Sequence, residues 1–183
     1  LNTISLIDNG EQVLVGNEKG NLEMWNVRNS MRTTVSLSTK PVRSAALYGN
    51  YIIAVTMDGM AHKVIIEDSC LTLQSSFKCH AGIPLHCTIS PCGRFFVTTG
   101  SDSKAKIWDM ESCECIHELS EEMQRKWVWD AVFSPDSSLV FTGGTDKCCR
   151  IWNVSDGKLL GRFEHHSKGV TSIALTTLTQ VSP

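Results

Sequence analysis

The sequence predicts an all-β fold, a β-propeller of repeated four-stranded sheets, and three observations carry that expectation. Short apolar, β-branched runs bounded by Gly, Asn, Asp and Pro recur along the 183 residues, and none shows the 3.6-residue period of a helix. Trp25, Trp108 and Trp152 each close such a run, and Val64 takes that place in the copy between the first two, giving spacings of 39, 44 and 44 residues. A period of that size holding four strands suits a propeller blade.

The most legible copy is Arg125 to Val154, RKWVWDAVFSPDSSLVFTGGTDKCCRIWNV. Trp127 to Ser134 reads as a strand stopped at Ser134-Pro135-Asp136, a turn in which Pro presets φ and Asp bonds backbone two residues on. Leu139 to Thr145 is a second strand, and Cys149 to Val154 a third. Sliding this unit along the chain, with strands named a to d from the inside outward, gives four blades, at 1–38, 41–78, 80–120 and 126–164. Asn9-Gly10, Lys19-Gly20, Gly49-Asn50 and Asp58-Gly59 mark turns in the first two, where Gly accepts positive φ. Residues 168–177 then repeat strand a, at Val170 to Thr176, as a lone inner strand of an incomplete blade. Four blades plus one extra strand, beginning at Leu1 inside a repeat, read as an open fragment of a longer ring. A closed four-blade ring would leave the last strand unpaired.

Composition narrows the function classes. The chain is 42% hydrophobic with a formal net charge of −2, and its charges of both signs are interspersed. No basic stripe suggests a nucleic-acid groove, and no apolar run reaches the roughly 18 residues of a membrane helix. The eight cysteines include Cys113 and Cys115, one residue apart, and the adjacent Cys148 and Cys149, with no C-x-x-C pair. Adjacent strand residues face opposite sides, so neither a metal site nor a disulfide framework is expected. Reduced thiols in a cytoplasmic protein are the expectation, with no cofactor and no small-molecule substrate.

His80, Thr98, Asp102 and Trp108 are the most chemically suggestive set, because a histidine, a carboxylate and a hydroxyl together resemble a catalytic triad. Their register argues for a structural network instead. Asp102 lies six residues before Trp108, as Asp146 does before Trp152, while Thr98 and Thr142 share a place in strand b. The fourth blade thus offers Thr142, Asp146 and Trp152 without a histidine ahead of Trp127. His166 takes the loop place in the last copy, and His62, His86, His117 and His165 read as solvated or packed side chains. Trp129 falls at the start of its strand a, aligned with Arg43, Leu85 and Asn2, and Trp127 lies two residues before it. Trp127, Trp129, Arg43 and Leu85 are therefore the candidate partner-binding residues, since exposed aromatics and Arg anchor interfaces.

With its Trp-Asp close, this unit is identified as a WD repeat. Residues 127–175, beginning W-V-W-D-A-V-F-S-P-D-S-S and continuing T-G-G-T-D-K-C-C-R-I-W, resemble the last repeats of the G-protein-β-like subunit family of target-of-rapamycin kinase complexes. The stretches His80 to Trp108 and Leu1 to Val27 are similar to preceding repeats of that family. The resemblance implies four blades of a seven-bladed ring. It also implies a non-enzymatic subunit that docks on the kinase domain in growth and nutrient signalling, with Trp127 and Trp129 as contacts. The sequence departs from the pattern at Val64 and at Cys79-His80, where Gly-His is usual. Two alternatives stand beside it: a WD-repeat peptide receptor such as a ubiquitin-ligase substrate adaptor, and a hydrolase using His80, Asp102 and Thr98.

Overall fold

In the computed structural model, residues 3–7, 10–121 and 126–175 are described, and they form sixteen strands and no α-helix. The first sheet holds β1 (Thr3–Ile7), β2 (Gln12–Gly16), β3 (Asn21–Asn26) and β4 (Arg32–Ser36). The second holds β5 (Val42–Tyr48), β6 (Tyr51–Thr56), β7 (Met60–Glu67) and β8 (Cys70–Lys78). The third comprises β9 (Pro84–Ile89), β10 (Phe95–Gly100), β11 (Ala105–Asp109) and β12 (Cys115–Leu119). The fourth comprises β13 (Val128–Phe133), β14 (Leu139–Gly144), β15 (Cys149–Asn153) and β16 (Leu159–Phe163). Every pairing is antiparallel and joins strands consecutive in sequence, so the all-β expectation holds.

The innermost strands β1, β5, β9 and β13 pack side by side, so each sheet turns its faces to its neighbours. That placement explains the burial pattern along a strand. β6 is enclosed on both faces and reads as a continuous apolar run, IIAV, whereas the outer β16 is mostly exposed. Each gap between sheets is filled by its own cluster: Leu14, Leu22, Ile52 and Val64 between the first two, Ile53, Val55, Phe96 and Trp108 between the next two, and Val97, Ile107, Val140 and Trp152 between the last two. Phe96 and Trp108 stack at 6.0 Å with planes 5° apart, and Phe77 tilts against Trp108 at 5.0 Å. Burying one such large side chain contributes on the order of 1.5–3 kcal/mol.

A single backbone device repeats at each turn between strands b and c. The residue five before the tryptophan place has positive φ in every sheet: Gly20 at 79°, Gly59 at 87°, Ser103 at 70° and Lys147 at 72°. At Gly20 a Cβ would lie 2.0 Å from the Ser38 carbonyl oxygen, so no other residue fits that turn without moving the chain.

The lone inner strand expected over 168–177 falls partly on the described residues. The described part, Val170 to Leu175, forms no strand, and 176 and 177 lie outside the described residues. Among the described residues no second strand pairs with it, and it lies against the fourth sheet. The Val170 amide donates to the Gly144 carbonyl at 2.9 Å, and the Ile173 amide to Asp130 Oδ2 at 2.7 Å. Val170 packs where a Cβ on Gly143 would come within 2.6 Å of it.

Candidate functional site

Between the second and third sheets, His80, Thr98, Asp102 and Trp108 form one directional chain of hydrogen bonds. Trp108 Nε1–H donates to Thr98 Oγ1 at 2.9 Å, and Thr98 Oγ1 lies 2.9 Å from His80 Nε2. His80 Nδ1 sits 2.9 Å from Asp102 Oδ1, and the Ala81 amide donates to Asp102 Oδ2 at 3.0 Å. A carboxylate only accepts, so the neutral ring carries its proton on Nδ1 and Nε2 accepts from the threonine hydroxyl. Every polar atom of the chain is thereby satisfied. Burial alone would raise Asp102, but the bonds from His80 and from backbone amides outweigh it and hold the carboxyl below 3.8. Thr98 is 0% exposed and both roles of its hydroxyl are taken, so no substrate reaches it.

The other sheets solve the same problem with different residues. In the second, Ser38 stands at the loop place of His80 and donates to Asp58 Oδ2 at 2.6 Å. Thr56 donates to Asp58 Oδ1 at 2.5 Å, and His62, from strand c, lies 2.9 Å from Thr56 and 2.8 Å from Ser76 Oγ. His62 is thus a buried member of a network rather than a single side chain, as its sequence context suggested. In the fourth, Trp152 Nε1–H donates to Thr142 at 2.8 Å, but Asp146 turns to Arg150 Nη2 at 2.5 Å, whose Nε pairs with Glu121 at 2.5 Å. The first sheet has Val15 where Thr98 would be, so the Trp25 indole swings outward to Glu23 at 3.1 Å and Arg32 lies over it at 5.3 Å. His165 and His166 are exposed, while His117 Nε2 meets the Ser155 carbonyl at 3.2 Å.

Arg43, Leu85 and Trp129 share a feature that the sequence did not disclose. Each is the extra residue of a β-bulge in an inner strand. Val42 pairs with Thr56 and Ser44 with Val55, skipping Arg43. Pro84 pairs with Gly100 and His86 with Thr99, skipping Leu85, and Val128 pairs with Gly144 and Asp130 with Gly143, skipping Trp129. A bulge bends the strand and re-aims the unpaired side chain, and bulges concentrate beside functional sites. All three residues line one cleft of about 410 Å³, together with His86, Asp130 and Thr171. Leu85 is only 8% exposed, however, so little of its side chain is open to a partner. Asn2, aligned with these positions, lies outside the described residues.

Trp127 is 41% exposed and its ring lies 5.2 Å from that of Trp129 at 60°. It faces a different, small cavity of about 30 Å³ beside Glu121, Thr142, Arg150 and Trp152. Its backbone is tied at both polar groups: the Trp127 amide donates to Thr145 Oγ1 at 3.0 Å and its carbonyl accepts from the Thr145 amide at 2.9 Å. Trp127 is thus the brace and Trp129 the residue turned to the cleft. His86 Nε2 lies 3.3 Å from Asp130 Oδ1 within that cleft, joining the third sheet to the fourth.

Among known proteins, the family described as "WD domain, G-beta repeat" matches residues 71–109 and 113–153. Each match runs from the outermost strand of one sheet through the inner three strands of the next. Apoptotic protease-activating factor 1 of Rattus norvegicus is 28% identical over 158 residues, covering 86% of this chain and 12% of that protein. Telomerase protein component 1 of the same species is 25% identical over 173 residues, with 86% and 6% covered. The chain therefore spans a small part of the length of these relatives. The crystal structure of the computationally designed Ika8 protein superposes with a TM-score of 0.81 at 18% identity, covering 95% of this chain and 52% of that one. Matched WD40 repeats thus run through three of its four sheets.

Proposed function

We propose that this chain is a non-catalytic interaction scaffold that docks on a protein partner through the face carrying Trp129, Trp127 and Arg43. The observation that supports this most directly is the bulge repeated in three inner strands, which turns Arg43 and Trp129 into one cleft. A rigid platform presenting an indole and a guanidinium has the composition of an interface anchor. The narrower reading is docking on, and stabilising, the kinase domain of a target-of-rapamycin complex in the cytoplasm. Its support is the resemblance carried by residues 127–175. A partner bound only in its folded form is stabilised by mass action.

The relatives bear names as different as apoptotic protease-activating factor 1 and telomerase protein component 1. The scaffold role therefore rests on the shared architecture, and the kinase partner on the residue string alone. The peptide-receptor alternative is weaker where phosphate is concerned, because Arg43 is the one cation among the three bulge residues. Against the hydrolase alternative stands the complete burial of Thr98.

The test is affinity capture of the tagged full-length protein from its own cells, with Trp129→Ala alongside. Recovery of a target-of-rapamycin-type kinase, lost in the variant with a hot-spot cost of about 2 kcal/mol or more, supports the narrow reading. A different assembly lost in the same variant retains the scaffold and removes the kinase. Partners indifferent to Trp129 remove this docking face.

A further inference from the structure

The cleft between the bulged strands has an uneven electrostatic character once each charge is followed to its partners. Asp130 is nearly buried, and its oxygens are already engaged by the Ala131 amide at 2.9 Å, the Ile173 amide at 2.7 Å and His86 Nε2 at 3.3 Å. Charge-assisted bonds of this kind fix the carboxylate in place and occupy its acceptor sites, so it is not free to turn to the Arg43 guanidinium. Burial and the nearby Arg43 push the His86 imidazole below 6.5, against the pull of Asp130, so it is uncharged at neutral pH. Among the described residues, the Arg43 guanidinium has neither an ion pair nor a hydrogen bond, while it lines the same cleft. Toward the described residues, its five donors in a planar fork are therefore unspent. Trp129 supplies an apolar wall, and Thr171 and Ser172 place hydroxyl side chains on the same rim.

We propose that this cleft receives a carboxylate side chain, aspartate or glutamate, from a partner segment whose adjoining apolar residue packs on Trp129. The guanidinium fork matches a carboxylate bidentately, and a single arginine suits one carboxylate better than a phosphate, whose greater charge calls for a cluster of cations. The arrangement also gives direction to docking: charge selects the register of the partner segment and the indole supplies the buried area. This rests on the scaffold reading above and narrows it to one class of partner sequence.

The experiment is selection from a library of capped ten-residue peptides, randomised at every position, on the immobilised full-length protein. Wild type is expected to enrich Asp or Glu next to Leu, Ile or Phe. Arg43→Gln is expected to lose the acidic preference and to bind the selected peptides about tenfold to a hundredfold more weakly, with an unchanged melting temperature. Arg43→Lys is expected to recover part of that affinity, and Trp129→Ala to lose the apolar preference. Selected peptides without an acid, a preference indifferent to Arg43→Gln, or no enrichment at all would overturn the proposal. So would tighter binding of phosphoserine versions of the same peptides, which would make this a phosphate site. Failure here together with Trp129-dependent partner capture would discard the acidic peptide and keep the scaffold; loss of both would discard the docking face.

Discussion

His62 and Arg150 occupy the same place in the repeat, two residues before the tryptophan position, and each supplies a nitrogen to the network of its own sheet. His62 pairs across to Ala54 and Arg150 to Thr142 in equivalent ladder positions. Their sheets lack the loop histidine that His80 provides in the third. Where the loop supplies no imidazole, a long or ring-bearing side chain on strand c reaches in from below.

Arg150 is the more consequential of the two, because it is 8% exposed and holds two carboxylates, Asp146 and Glu121. Removing one partner of a buried ion pair leaves uncompensated charge, at a cost of about 3–5 kcal/mol. Arg150→Ala is therefore expected to lower stability by that order in urea titration. Adding Asp146→Asn and Glu121→Gln to Arg150→Met should return most of it, since the orphaned charges are then gone. A triple variant no more stable than Arg150→Ala would show that packing, not charge, sets the loss.

The two network histidines are expected to carry opposite tautomers. His80 holds its proton on Nδ1, facing Asp102. In the second sheet Thr56 donates to Asp58, so His62 must donate from Nε2 to Thr56 and accept from Ser76 at Nδ1. Long-range ¹H–¹⁵N correlation spectra at neutral pH should show one ring of each kind. Thr98→Ala should cost about 1–3 kcal/mol by leaving buried donors and acceptors unmatched, and should displace the His80 ring signals but not those of His62.

Stability should fall on mild acidification. Burial pushes His62 below its ordinary 6.5, against the attraction of Asp58, and His86 is depressed in the same sense. Between the folded value and 6.5 the unfolded chain binds more protons, so the folded state has its full stability above 6.5 and loses it as pH falls toward the folded value. The melting temperature should drop from about pH 7.5 to about pH 5.5, and His62→Gln should flatten that slope. A melting temperature that rises over this range would contradict the assignment.

Thiol chemistry should divide the cysteines by burial. Cys79 and Cys87 are both buried and pushed up to about 12, chiefly by loss of solvent, with their sulfurs donating to the carbonyls of Gly59 and Ile53 at 3.3 Å. Cys92 is exposed, and although its slight burial acts upward, hydroxyl bonds from Ser137 and Ser90 draw it below its ordinary value. Iodoacetamide on the native protein should label Cys92 ahead of the exposed Cys70 and Cys115, whereas Cys79 and Cys87 react only after unfolding. Labelling of Cys79 in the native state would mean that the contact between the second and third sheets opens.

The sequence by itself determined the all-β class, the four-strand unit and the residues that join His80 to Trp108. These features are local or periodic: strand patterning repeats every two residues, turns carry their own residue signals, and the Thr98–Trp108 pair recurs one period on as Thr142 and Trp152. Tertiary structure decided what depends on register between strands. Whether Arg43, Leu85 and Trp129 pair or bulge is set by how strand a meets strand b, and the bulge then turned Trp129 to the cleft while leaving Leu85 little exposed there. The replacement of a loop histidine by His62 or Arg150 was equally hidden, because it requires knowing which face of strand c looks inward and how far each side chain reaches. The last segment shows the same limit: Val170 to Leu175 has the pattern of a strand, but ladder hydrogen bonds come from partners, and among the described residues no second strand pairs with it.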